Sequence, residues 1–132
     1  MGRLDETDYY RMINDRVGQY YRDELRAVLD AFLIELYPGV EQLLKQLKPG
    51  GTQLACLSNT NIRHWHRMFV DERSDLRGVR CLDHTFASFL IGLRKPDLGM
   101  YQYVERMTDV SSEAILFFDD SLENCTAAGD CG

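Results

Sequence analysis

Five consecutive apolar residues, Ala114 to Phe118, run directly into two adjacent carboxylates, Asp119 and Asp120. An apolar run of that length bounded by polar residues fits a strand buried on both faces, as in parallel sheets covered by helices. Neighbouring carboxylates at its end repel one another and bring charge close to a core, an arrangement that a cation relieves. The alternative is that one of them only caps a helix starting near Ser121 or Leu122. Either way the pattern points to an α/β fold in which polar chemistry collects at the carboxyl ends of the strands.

The rest of the chain supports that architecture. From Asp5 to Leu36 apolar positions recur at helical spacing (Tyr9, Ile13, Val17, Leu25, Phe32, Leu36), so two helices are expected, separated at Gly18. The acidic cluster Asp5 to Asp8 suits the positive end of the first helix. Pro38 reads as the first-turn proline of a helix carrying Val40, Leu43, Leu44 and Leu47, stopped by Pro49-Gly50-Gly51. Thr52 to Leu57 reads as a strand ending in Ser58-Asn59-Thr60-Asn61, with a helix bearing Ile62, Trp65 and Phe69 behind it. Asp71 to Gly78 reads as a loop, Asp83 to Leu90 as a second strand, and Pro96 as the start of a helix with Leu98, Tyr101, Val104 and Met107. The run Ala114 to Phe118 is the third strand, and Leu122 to Ala128 the last helix.

Charge and composition narrow the function. With 15 Lys+Arg against 21 Asp+Glu, a net charge of -6 and no basic stripe, the chain lacks the electrostatic footprint of a nucleic-acid partner. Its longest apolar run is far below the roughly 18–20 residues of a membrane span, so no membrane association is expected. The polar, acidic start does not resemble a signal peptide, and a cytoplasmic location is expected. The 4 cysteines form no CxxC pair, which argues for reduced thiols over a zinc or disulfide scaffold. His64 and His66, two apart on a helix, face different directions and are read as surface or packing residues.

Three candidate groups remain. Ser58 and Asn59 either cap the following helix or present a hydroxyl and backbone N–H groups to a phosphate. Lys95, on the stiff turn before Pro96, is either a solvated lysine or one held in place to neutralise an anion. Asp119 and Asp120 suit Mg2+, which takes oxygen ligands shared between carboxylates, water and substrate phosphate.

The order Leu57-Ser58-Asn59-Thr60-Asn61, then Leu93-Arg94-Lys95-Pro96-Asp97, then Phe117-Phe118-Asp119-Asp120-Ser121-Leu122-Glu123-Asn124 resembles motifs two, three and four of the haloacid dehalogenase superfamily. Within it the likeness is to the small bacterial sugar-phosphate phosphatases of the α-D-glucose-1-phosphate phosphatase type. Tyr37 to Leu47 resembles the helix entering the core after their helical cap, and Gly2 to Tyr10 a segment of the cap. The resemblance implies a partial Rossmann-like α/β core with a parallel sheet and flanking helices over residues 37–132, and a residual helical cap segment over residues 1–36. It implies that Ser58 hydrogen-bonds the transferred phosphoryl group, that Asn59 supports the same phosphate-binding loop, and that Lys95 balances charge at the phosphate. Asp120 would be the direct Mg2+ ligand, with Asp119 a second ligand or one step behind it. Lys95, Asp119 and Asp120 would form the catalytic set, acting on a small phosphorylated substrate or a phosphate ion. The family's chemistry is phosphoryl transfer to an aspartate followed by hydrolysis of the acyl-phosphate.

Motif one of that family, an apolar strand ending in Asp-x-Asp that carries the nucleophile, has no counterpart here, and the sequence is read as truncated at both ends. Without that strand, a gap of roughly 9–10 Å is expected between the strands ending at Ser58 and Asp119. Either those strands pair directly, or another chain, as in a homo-oligomer, fills the slot, or the sequence is part of a longer protein. A phosphatase chain inactive in isolation is therefore expected. The alternative is a non-catalytic phosphate- and metal-binding module, or an oligomeric interaction module using Tyr9, Tyr10, Tyr20 and Tyr21.

Overall fold

In a computed structural model, the structure describes residues 6–72 and 74–132. Asp5, the residues before it and Arg73 lie outside the described residues, and with them part of the expected acidic cluster and of the expected 71–78 loop.

Two helices open the described chain, α1 (Glu6–Val17) and α2 (Arg22–Ala31). Between them Gly18 takes a φ of +111°, a conformation that costs glycine little. Asn14 closes the turn with its side-chain amide, accepting from the Tyr20 N–H at 3.0 Å and donating to the Tyr20 carbonyl at 3.1 Å. Glu24 reaches back to the Tyr21 N–H at 2.7 Å and starts α2. Helical spacing continues to Leu36, yet α2 stops at Ala31. Its last carbonyls find partners elsewhere: His64 Nε2 lies 2.8 Å from the Leu29 oxygen, and Arg67 donates to the Asp30 oxygen at 3.0 Å. With those groups satisfied the helix has no call for another turn.

Next come α3 (Val40–Leu47) and a tight 3-10 turn, Lys48–Gly50. Pro38 lies just outside α3, because Gly39 takes φ +88° and α3 begins only at Val40. The sheet consists of β1 (Ala55–Ser58) and β2 (His84–Ala87), parallel, with Ala55 opposite His84 and Ser58 opposite Ala87. Asp83 fixes this register. Its backbone N–H donates to the Leu54 oxygen at 2.8 Å, and its carboxylate accepts from the Leu54 N–H at 2.9 Å and from Lys48. Those bonds hold the Asp83 carboxyl below its ordinary value, that of Lys48 contributing most.

From β1 the chain passes into α4 (Ile62–Phe69), whose N-terminus is capped by the Asn61 side chain accepting from the His64 N–H at 2.9 Å. The strand expected over 83–90 is shorter than its apolar pattern: after Ala87 the chain turns into the short helix α5 (Ser88–Ile91), stopped by Gly92 at φ +79°. Buried Ser88 spends its hydroxyl on the Thr60 backbone, which anchors the start of this turn. Pro96 likewise precedes its helix, α6 (Leu98–Thr108), by two residues. Helix α7 (Leu122–Gly129) ends the chain. Leu54, Leu76, Phe86, Ala87, Met100, Tyr101 and Val104 are buried, and Phe86 of β2 meets Tyr103 of α6 edge to face.

One expectation fails. Ala114 to Phe118 is not a buried strand: Ser112–Ala114 is a 3-10 turn, residues 115–118 form no regular element, and Leu116 and Phe118 are 79% and 81% exposed. Direct pairing with β1 also fails, since β1 pairs only with β2 among the described residues. The physical reason is shared, because a strand is buried only by neighbours on its edges and faces, and this one has none on its edges.

Candidate functional site

The segments ending at Ser58 and at Asp119 meet at one lysine. Lys95 Nζ donates to the Leu57 carbonyl at 2.8 Å and to Asp119 Oδ2 at 2.5 Å, and it lies 5.4 Å from the centre of the Phe117 ring. The two side chains are only 10% and 7% exposed, so this is a buried ion pair rather than a surface contact. Lys95 is thus held in place, and the solvated alternative is ruled out.

Asp119 accepts three hydrogen bonds. Besides Lys95, its Oδ1 accepts from the Ser121 N–H at 2.9 Å and from Asn124 Nδ2 at 2.7 Å. Burial pushes its carboxyl up, but the bonds from Lys95, Asn124 and Ser121, with the lysine's charge, outweigh burial and hold it below the ordinary carboxylate value. The Ser121 bond means that Asp119 also organises the start of α7, as the capping alternative expects. Asp120 is exposed and takes no part in this network.

The loop after β1 divides its polar groups. Asn59 donates from Nδ2 to the Lys95 carbonyl and accepts from the Lys95 N–H through Oδ1, both at 2.9 Å. The Thr60 backbone is held by Ser88, its N–H donating to Oγ at 3.2 Å and its carbonyl accepting from the same hydroxyl at 3.3 Å. Asn61 caps α4. Ser58, half-buried at the strand end, has a hydroxyl with no hydrogen bond among the described residues. Cys56 on the same strand carries a thiol that burial pushes up, only partly offset by the Lys95 charge, which makes it a poor nucleophile.

The donor set can be tested against Mg2+. Among the described residues no group of three or more His, Cys, Asp and Glu converges on a point. The carboxylates present are hard oxygen donors, and Mg2+ commonly takes one or two carboxylates with water and phosphate completing its shell. Asp120, exposed, has capacity to spare, whereas Asp119 already accepts three hydrogen bonds from nitrogen donors. The exposed Asp120 carboxylate fits the ion.

Two contributors escape the sequence pattern. Ser88 sits inside an apolar stretch that reads as strand, its one signal being a polar residue between Ala87 and Phe89. Asn124, five residues after Asp119, lies at the end of the third motif stretch but is given no role by its spacing, yet it supplies one of the bonds that hold Asp119.

A family described as "Hydrolase: haloacid dehalogenase-like hydrolase" matches residues 2–132. Among curated proteins the chain is 31% identical over 134 residues to the sesquiterpene phosphatase astK of Aspergillus oryzae, covering 99% of the chain and 65% of that protein. It is also 40% identical over 139 residues to the drimenol cyclase drtB of Aspergillus calidoustus, covering 99% of the chain and 25% of that protein. The chain therefore spans less than two thirds of the length of either relative. Its fold matches a HAD family enzyme from Bacteroides thetaiotaomicron, crystallised with magnesium and inorganic phosphate, with a TM-score of 0.82 at 22% identity over 99% of the chain and 67% of that one. It also matches a dehalogenase crystallised as an intermediate complex, with a TM-score of 0.69 at 24% identity over 90% of the chain and 52% of that one. The family match runs from the first helix through the Lys95–Asp119 pair to the last residue, and the chain belongs to the haloacid dehalogenase-like hydrolases.

Proposed function

We propose that the groups converging on Lys95 form the phosphate- and metal-binding side of a phosphatase acting on a phosphate monoester of a small organic alcohol. The observation that carries this reading is a buried ammonium fixed between the Leu57 carbonyl and the Asp119 carboxylate, next to a Ser58 hydroxyl that is free to donate. Ser58 donates to a phosphoryl oxygen, and Lys95 offsets the phosphate charge at a position set by its two anchors. Asp120 would hold Mg2+, with Asp119 supporting it. The ion, when bound, would neutralise phosphoryl charge and orient the ester. In this reading residues 1–36 serve as the cap segment and residues 37–132 as the core.

These groups position and neutralise a phosphate but do not attack it, so the 132 residues alone are expected to bind orthophosphate without appreciable turnover. The test is 31P NMR titration of orthophosphate with and without Mg2+, beside hydrolysis of an aryl phosphate ester. Metal-assisted binding weakened at least about tenfold by Ser58→Ala and by Asp120→Asn is expected, since each removes a charge-assisted contact. Absence of any binding refutes the reading. The leaving group is a sugar by family resemblance, while the relative named as a sesquiterpene phosphatase favours a terpenoid alcohol. Competition between a sugar phosphate and a sesquiterpenyl phosphate separates the two.

A second reading concerns partners. The exposed Leu116 and Phe118 on a segment that forms no regular element favour a strand from another chain, a second copy included, completing the sheet beside them. Sedimentation across a hundredfold concentration range tests it, and a monomer throughout refutes self-association.

A further inference from the structure

We propose that Asn59 is a positioning residue for Lys95 rather than a ligand of the phosphate. Its side-chain amide pairs with the Lys95 peptide in both directions, donating to the carbonyl and accepting from the N–H at 2.9 Å each. This is the reciprocal pattern that a neighbouring strand would supply. It stitches the residue after β1 to the turn before Pro96, across 36 positions of sequence. Lys95 reaches its two anchors through a long, flexible side chain, and such a chain is held in one geometry only if its own backbone is fixed. Among the described residues no strand pairs with the Lys95 backbone, so the Asn59 amide supplies that fixation. The same carbonyl-facing N–H and the same oxygen would have to be released before Asn59 could turn to an anion, whereas the Ser58 hydroxyl needs no release. A second reciprocal clamp, Ser88 on the Thr60 backbone, holds the next residue of the loop without touching Lys95, and it provides an internal control.

The inference rests on the phosphate-binding reading for its functional consequence, but its structural half is tested separately by NMR on the 132-residue chain. In the unsubstituted protein the Asn59 side-chain NH2 and the Lys95 amide proton exchange slowly. Orthophosphate with Mg2+ then moves the Ser58 resonances and leaves the Asn59 NH2 in place. In Asn59→Ala the Lys95 ammonium protons, slow to exchange while held by Leu57 and Asp119, exchange too fast to observe, and phosphate affinity falls about tenfold. Ser88→Ala leaves the Lys95 ammonium signal intact. If the Lys95 signal survives in Asn59→Ala, or if phosphate shifts the Asn59 NH2 in the unsubstituted protein as much as Ser58, the positioning role is overturned. If Asn59→Ala releases Lys95 but no form of the protein binds phosphate, positioning stands and the phosphate-binding reading fails.

Discussion

Replacing Lys95 by Met removes the cation from a buried pair while keeping most of the side chain's apolar stem. Asp119 is then left 7% exposed with only Asn124 and the Ser121 N–H as partners. Breaking a buried pair from one side costs about 3–5 kcal/mol, and the lower end applies because two hydrogen bonds to the carboxylate survive. A chain of 132 residues unfolds with an entropy of about 0.28 kcal/mol/K at roughly 2.1 cal/mol/K per residue. A loss of ~3 kcal/mol therefore lowers the melting midpoint by about 11 °C at pH 7. Replacing both partners, Lys95→Met with Asp119→Leu, removes the stranded charge and recovers most of that loss. The pH dependence follows from the sign of each shift. In the unsubstituted protein the Asp119 carboxyl sits below its ordinary value, so its contribution is complete above about pH 4 and is lost as pH falls through the lower folded value. In Lys95→Met burial raises the carboxyl, and the penalty is relieved as pH falls through the raised value. The gap between the two proteins is thus widest at neutral pH and closes in acid. Differential scanning calorimetry of the single and double variants between pH 4 and 8 measures it. A double variant no more stable than Lys95→Met, or a gap that widens in acid, refutes the reasoning.

Asp30 takes a bidentate hold from Arg63, and that side-chain bond more than the accompanying charges keeps its carboxyl below the ordinary value. Both side chains are more than a third exposed, so Arg63→Met is expected to cost only about 0.5–1 kcal/mol, present above about pH 4, lost as pH falls below it, and reduced by salt. Urea unfolding at two ionic strengths checks this. Met100 is fully buried, and Met100→Ala is expected to lower stability by about 2–5 kcal/mol, read from the urea midpoint at unchanged slope. Gly92→Ala places a Cβ at φ +79°, where the expected cost is about 1 kcal/mol even though nothing lies within 4 Å of the added atom. A rise in thermal midpoint for that variant would contradict it.

The three motifs were legible because each lies where period changes: Ser58 at the end of β1, Lys95 beside a proline, and Asp119 after an apolar run. What they left unsaid is how they meet. The pairing of Asn59 with the Lys95 peptide joins residues far apart in sequence through generic amide chemistry, which leaves no periodic trace. Ser88 was hidden by the β-forming residues around it, since local propensity says strand from His84 onward while a tertiary hydrogen bond starts a helix there. The end of α2 was misplaced for the same reason, its stop being set by the basic side chains of α4 rather than by a glycine or proline. The apolar pattern of 114–118 correctly marks a segment built to be covered, but periodicity carries no information on what covers it.

The uncovered segment from Ile115 to Phe118 has high β-propensity, no charge and no proline, the signature of sequences that seed aggregation when an edge is open. It is flanked on one side by Glu113 and on the other by Asp119 and Asp120. Charges in those places act as gatekeepers, because stacking identical segments in register would align their carboxylates. The acidic pair thus has a role in solubility that is separable from phosphate or metal. Neutralising Asp120, the exposed member, strips away part of that protection, so a variant made to probe the site becomes more prone to fibril formation as its concentration rises.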